Sequence, residues 1–142
     1  MIGITSNNEY VGFYMVGNYS SVVNGITSNN TYHGFLMSGD YSSVVNGTSL
    51  SNGYNNILEG DGFFMSGVYS RVIDSFASGN YYNGFHLSGV SSSVVNSSAS
   101  GNDNFGFWLS GSNNDVVNSF AINNHFGFVL SGSSGSVVDS SK

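Results

Sequence analysis

One short pattern recurs six times along the chain: Gly-Phe, one residue, Met or Leu, a small residue with Gly, and then Val-Val-Asn or a close variant. The copies are headed by Gly12, Gly34, Gly62, Gly84, Gly106 and Gly127, at spacings of 22, 28, 22, 22 and 21 residues. The Gly17, Gly39, Gly67, Gly89, Gly111, Gly132 series keeps the same spacings, and so do the paired valines. Three landmarks sharing one period define a stacked repeat whose single copy is too small to bury its own apolar face. The six-residue surplus falls between Asn46 and Gly62, within 47–61, and the one-residue deficit between Asn118 and Gly127. Both length changes therefore map to one corner of the repeat.

Within a copy the apolar residues alternate, as in Phe35-Leu36-Met37, and Gly, Ser, Asn and Asp separate the short apolar runs. That is the signature of strands and bends, with no helical period. About 22 residues supply three strands and three bends, one rung of a coil whose strands pair in parallel with the rungs above and below. Six rungs at the usual strand spacing make a rod about 29 Å long. The fold expected is all-β, a single-stranded parallel β-helix of six rungs and three parallel sheets, filling 1–142 as one domain.

Stacking sorts residues into columns. Phe13, Phe35, Phe63, Phe85, Phe107 and Phe128 form one, and Met15, Met37, Met65, Leu87, Leu109 and Leu130 another two residues on; both belong on the core face of one sheet. One of each valine pair lines the second wall, the pattern not saying which. The third takes either Thr27, Ala77, Ala99 and Ala121 or their larger neighbours Ile26, Phe76 and Phe120. Asn24, Asn46, Asp74, Asn96, Asn118 and Asp139 fall at a bend, where Asn and Asp tolerate left-handed backbone, and a ladder of stacked amides is expected there. Between the two core columns lies an outward stripe, Tyr14, Leu36, Phe64, His86, Trp108 and Val129, with further aromatic stacks at Tyr19, Tyr41, Tyr69 and at Tyr10, Tyr32, Tyr82. Cross-strand ladders of this kind stabilise sheets. A contiguous exposed patch also marks a contact surface, for a second subunit or for sugar rings.

Gly-Phe-x-Leu-Ser-Gly followed by Val-Val-Asn and by Asn pairs (Asn7-Asn8, Asn29-Asn30, Asn123-Asn124) resembles the right-handed parallel β-helix repeats of the pectin-lyase-like superfamily. The resemblance is nearest to the Asn-rich repeats of NosD-like and carbohydrate-binding/sugar-hydrolase domains of surface proteins. It implies right-handedness and an extracellular or cell-surface location, with no signal peptide within this chain. Because that superfamily holds lyases, hydrolases, binding modules and passive scaffolds, fold alone assigns no activity.

Charged residues are 7% of the chain, and eight acids face Arg71 and Lys142 for a net charge of -6. A phosphate backbone needs clustered Lys and Arg, so nucleic acid is not an expected partner. No apolar run reaches the 18 residues of a membrane span. Cysteine is absent, which removes disulfides and thiolate metal sites.

No catalytic set is expected. Asp40, Asp61, Asp103, Asp115, Glu9 and Glu59 occupy different columns, and only Asp74 and Asp139 share one, three rungs apart. Paired carboxylates for glycoside hydrolysis lie within about 5 to 9.5 Å. Arg71 stands alone among Ser21, Ser43, Ser93, Asp115 and Ser136. No metal or cofactor is expected either: the resemblance implies copper handling for some members, but Met15, Met37 and Met65 share their column with leucines and read as core. His33, His86 and His125 occupy three different repeat positions and read as isolated surface residues. Gly60-Asp61-Gly62 and Asn102-Asp103-Asn104 read as turns.

The expected function is a non-catalytic surface module that associates with copies of itself through the strand edges at Gly3-Asn8 and Val137-Ser141, which no proline guards. Head-to-tail stacking of that kind gives filaments. The alternative is a carbohydrate-binding module with Trp108, Phe64 and Tyr14 as stacking platforms. Among the Asn-x-Ser/Thr sequons, Asn18 and Asn29 are the glycosylation candidates in a secreted product.

Overall fold

Three parallel sheets, each six-stranded, wind as a right-handed coil in the computed structural model, which describes residues 3–53 and 60–141. Residues 54–59, including Glu59 and the middle of the expected insertion, lie outside the described residues. Each rung contributes one strand to each sheet, for example Phe76–Ser78, Phe85–Leu87 and Ser93–Val95. The sheets are named here the Ala, Phe and Val sheets after their inward residues. Neighbouring rungs pair landmark to landmark, Phe63 with Phe85, Val72 with Val94 and Ala77 with Ala99.

The alternation of each strand decides what faces inward. The Phe sheet buries Phe35, Phe63, Phe85 and Phe107 together with Met37, Met65, Leu87 and Leu109. The inner rings stack nearly parallel at centroid spacings of 4.6 to 4.9 Å. The first valine of each pair is the inward one, with Val44, Val72, Val94 and Val116 fully buried. On the third wall the small residues Thr27, Ser49, Ala77, Ala99 and Ala121 point in, while Ile26, Phe76 and Phe120 point out. The reason is volume: the phenylalanine rings already reach across the tube, so that a Cβ on Gly47 would lie 3.0 Å from a Phe63 ring carbon.

Three columns of left-handed residues turn the corners. Asn24, Asn46, Asp74, Asn96, Asn118 and Asp139 have φ between 48° and 53°, as a bend column requires. They do not carry the amide ladder expected of them. Their side chains are exposed, and backbone bonds such as Asn96 N–H to the Val117 carbonyl, 3.0 Å, join the rungs there. Left-handed backbone at this corner turns the Cβ toward water, out of reach of the rung above. The ladder runs instead through Asn8, Asn30, Asn52, Asn80, Asn102 and Asn124, each one residue after another left-handed corner and mostly turned inward. Asn52 Nδ2 donates to Asn80 Oδ1 at 2.9 Å, and Asn80 Nδ2 to Asn102 Oδ1 at 2.9 Å.

This ladder also locates the length changes. Asn52 and Asn80 are in register, as are Asn102 and Asn124, while the six extra residues lie between Gly53 and Gly60 and the missing one between Asn124 and Phe126. A Cβ on Gly53 would sit 2.7 Å from Gly60 Cα, so the two glycines on either side of this stretch touch. At the Ser-Gly corner the rungs approach so closely that a Cβ on Gly111 would lie 1.9 Å from the Gly89 carbonyl oxygen. Only glycine permits that column.

Candidate functional site on the outer face of the Phe sheet

The outward stripe is continuous in register, from Tyr14 opposite Leu36 to Trp108 opposite Val129. Its exposure is uneven. Tyr14 is 60% exposed at the first rung, Leu36, Phe64, Trp108 and Val129 are half-buried, and His86 is 5% exposed. Strand spacing places the rings above one another, so faces meet along the rod and edges point to solvent. His86 and Trp108 stack with centroids 4.0 Å apart and planes 15° off parallel, and Phe64 meets His86 edge-on at 4.8 Å. Phe64 is also stacked by His33 at 5.0 Å, which covers one of its faces.

His33 belongs to a second outward column, two residues before each core phenylalanine: Val11, His33, Asp61, Asn83, Phe105 and Phe126. Here the structure corrects a sequence expectation. His33 and His86 are not isolated surface residues but converge from different columns on Asp61, which is fully buried. Only His125 is an exposed histidine, edge-on to Phe126 at 4.6 Å.

Burial of the Asp61 carboxyl is compensated by donors. Oδ1 accepts from Asn83 N–H at 3.1 Å and from Asn83 Nδ2 at 2.7 Å. Oδ2 lies 3.2 Å from His86 Nδ1. On the far side of the imidazole, His86 Nε2 is 2.9 Å from Ser110 Oγ. A carboxylate only accepts, so the proton of the neutral imidazole sits on Nδ1 and Nε2 accepts the serine O–H. His33 has the other tautomer, because its Nδ1 accepts the Asp61 backbone N–H at 3.2 Å. Among the described residues no group of three or more His, Asp or Glu is arranged to hold a metal ion.

Elsewhere the sequence candidates stay apart. Tyr19, Tyr41 and Tyr69 stack at 5.1 and 5.2 Å along an exposed corner. The third tyrosine stack stops at Tyr10 and Tyr32, 4.5 Å apart, because Tyr82 pairs with Gly60 below it. Met15, Met37 and Met65 are core. Arg71 lies between Ser43 and Ser93, and Asp115 accepts from Ser136 Oγ at 2.5 Å. Asn18 and Asn29 are both exposed, the former accepting the Asp40 N–H at 2.9 Å. Among the described residues no helix is long and apolar enough to cross a membrane.

No protein-family model and no curated protein matches the chain. Among solved structures it is similar to the crystal structure of pectate lyase Pel9A, with a TM-score of 0.69 and 21% sequence identity. The match covers 89% of this chain and 40% of that one, so the chain spans less than half the length of the lyase. The likeness is one of fold: the chain is a right-handed parallel β-solenoid.

Proposed function

We propose that the protein is a secreted or cell-surface β-solenoid that binds a polysaccharide along the outer face of its Phe sheet. The observation that carries this is the break in ring stacking at the C-terminal half of that face. Phe105 tilts 57° from Trp108 at a centroid distance of 5.5 Å, and Phe126 tilts 44° from Phe105. Where rings stack, only edges are offered; where they tilt, faces turn outward, as sugar stacking requires. Trp108 Nε1 is fixed on Ser131 Oγ at 2.9 Å, which holds the indole in place before any ligand arrives. The platform is therefore Phe105 and Phe126, with the edge of Trp108, stacked on His86, beside them and with Phe64 and Tyr14 outside it. Similarity to a solenoid whose name says it acts on pectate supports a polysaccharide as the ligand class. A net charge of -6 repels polyuronates and favours a neutral polymer. In affinity electrophoresis against neutral and acidic polysaccharides, retardation by a neutral polymer is expected to weaken at least about ten-fold in Phe126→Ala, about 1.4 kcal/mol. Equal retardation of the two proteins would reject this platform.

A second reading, association of copies end to end, has its own observation. Leu130 is 45% exposed on the last rung, whereas Leu109 in the same inward column is 1% exposed. A second copy continuing the stack would bury that leucine with Phe128 and Val137. Sedimentation velocity is expected to show concentration-dependent growth that Leu130→Lys suppresses, and a monomer at every concentration would exclude it.

A further inference from the structure

We propose that Asp61, His86 and Ser110 form an acyl-transfer triad that hydrolyses short O-acyl esters carried on a polysaccharide. The polysaccharide half of this statement rests on the binding reading above; the triad does not. Three consecutive rungs supply the three groups. The Asp61 carboxylate, anchored by both Asn83 donors, lies 3.2 Å from His86 Nδ1, and His86 Nε2 lies 2.9 Å from Ser110 Oγ. Nucleophile to base and base to orienting carboxylate are both at hydrogen-bond distance, which is how such sites are recognised on unrelated folds. Asp61 and His86 are buried while Ser110 is half-exposed, so the base is shielded from water and the hydroxyl remains open to substrate.

The repeat provides an internal comparison. Ser66, Ser88, Ser110 and Ser131 occupy one column, just beyond the paired core residues Met65, Leu87, Leu109 and Leu130. Ser131 faces Trp108 Nε1, which can only donate to it at 2.9 Å, and Ser88 Oγ is turned to the Met65 carbonyl at 3.4 Å. Ser110 alone of these faces a lone pair able to take its proton. Because Ser131 already accepts from the indole, its own O–H is left to donate. Lying one rung beyond Ser110, about 4.8 Å away along the sheet, it is placed to meet an oxyanion formed over Ser110.

The chemistry balances without a cofactor. Ser110 Oγ attacks the acyl carbon as its proton passes to His86 Nε2, and Asp61 stabilises the imidazolium that results. Collapse breaks the bond to the sugar oxygen, which leaves with the proton from His86 Nε2, and the acyl group remains on Ser110. Water then attacks that ester, giving its proton to His86 Nε2. The carboxylic acid departs and the proton returns to Ser110 Oγ. The site lies on an open sheet face with the Trp108 ring 4.0 Å from the imidazole, so it offers no tunnel for a long acyl chain. Short acyl groups are the class that fits.

The test uses the intact protein with two probes, a fluorophosphonate followed by peptide mass mapping, and p-nitrophenyl acetate. A single phosphonyl adduct is expected on Ser110, forming at least about a hundred-fold faster than on Ser88 or Ser131, the factor a general base supplies. Ser110→Ala should lose both the adduct and the turnover. His86→Asn and Asp61→Asn should slow both, with thermal unfolding confirming that each variant is folded. Failure of the unaltered protein to form the adduct, equal labelling along the serine column, or turnover undiminished in Ser110→Ala would overturn the triad. Ester cleavage without glycan binding would remove the polysaccharide and keep the triad; glycan binding without ester cleavage would do the reverse.

Discussion

Replacing Asn80 by leucine is expected to destabilise the protein by about 3 to 5 kcal/mol, far more than any change in the exposed bend column. Asn80 is fully buried, and its Oδ1 accepts from Asn52 N–H at 3.1 Å and Asn52 Nδ2 at 2.9 Å, while its Nδ2 donates to Asn102 Oδ1 at 2.9 Å. Leucine fills a similar volume and removes both functions. Two donors on Asn52 are then left buried without an acceptor, each costing about 1 to 3 kcal/mol. Asn80→Asp separates shape from chemistry, since it keeps one acceptor oxygen but turns a second oxygen, with no proton, toward Asn102 Oδ1. It should be at least as damaging, because an unpaired charge is now buried as well. Asn96→Ala, at an exposed left-handed corner with φ 50°, should cost only about 1 kcal/mol of backbone strain. Urea midpoints for the three variants would test this order, and a larger loss for Asn96→Ala than for Asn80→Leu would contradict it.

The contrast between Asn80 and Asn96 also shows how far the sequence could be read. Period and alternation were enough for the rungs, the three sheets and the inward Phe and Met or Leu columns, because a strand can show only one of two faces. The bend column at Asn96 was legible as a bend, yet whether an amide turns into the core or out to water depends on the backbone angle one residue earlier. No single residue type marks that earlier position: Gly79 with φ 60° precedes Asn80, whereas Asn29 with φ 52° precedes Asn30. The small third wall follows from volume, since a tube crossed by Phe63 and Phe85 has no space for Phe76, whereas nothing in a pair of identical valines marks the inward one.

The site was less legible for a different reason. Asp61, His86 and Ser110 lie in three columns and three rungs, so a search for like residues in one column passes over them. A signal did exist. Once Gly-Phe fixes the register, the residues two before Phe35, Phe63 and Phe85 are His33, Asp61 and Asn83, a polar run on a face that is otherwise apolar. What could not be read was the diagonal reach that lets His86 touch the rung below through Nδ1 and the rung above through Nε2.

Phe85→Ala is expected to cost about 3 to 5 kcal/mol, and its effect should spread along the rod. Phe85 is fully buried between Phe63, 4.7 Å below, and Phe107, 4.9 Å above, both within 6° of parallel. Truncation leaves a cavity bounded by two flat rings and by backbone that is already in close contact at the glycine corner, so the walls cannot collapse to fill it. Solenoid stability is a sum of rung terms and nearest-neighbour terms, and this substitution weakens two interfaces at once. Phe13 offers the comparison: it is 8% exposed and has one ring neighbour, Phe35, at 5.2 Å. Phe13→Ala should therefore cost less, and hydrogen exchange should rise only in the first rungs. In Phe85→Ala the amides of the rungs on both sides should lose protection together, since the stack is cut into pieces of three and two rungs, and about three is the smallest number that holds a solenoid together. Equal costs for the two variants, or exchange confined to the Phe85 rung, would mean that the ring column does not couple the rungs and that the Asn ladder alone does so.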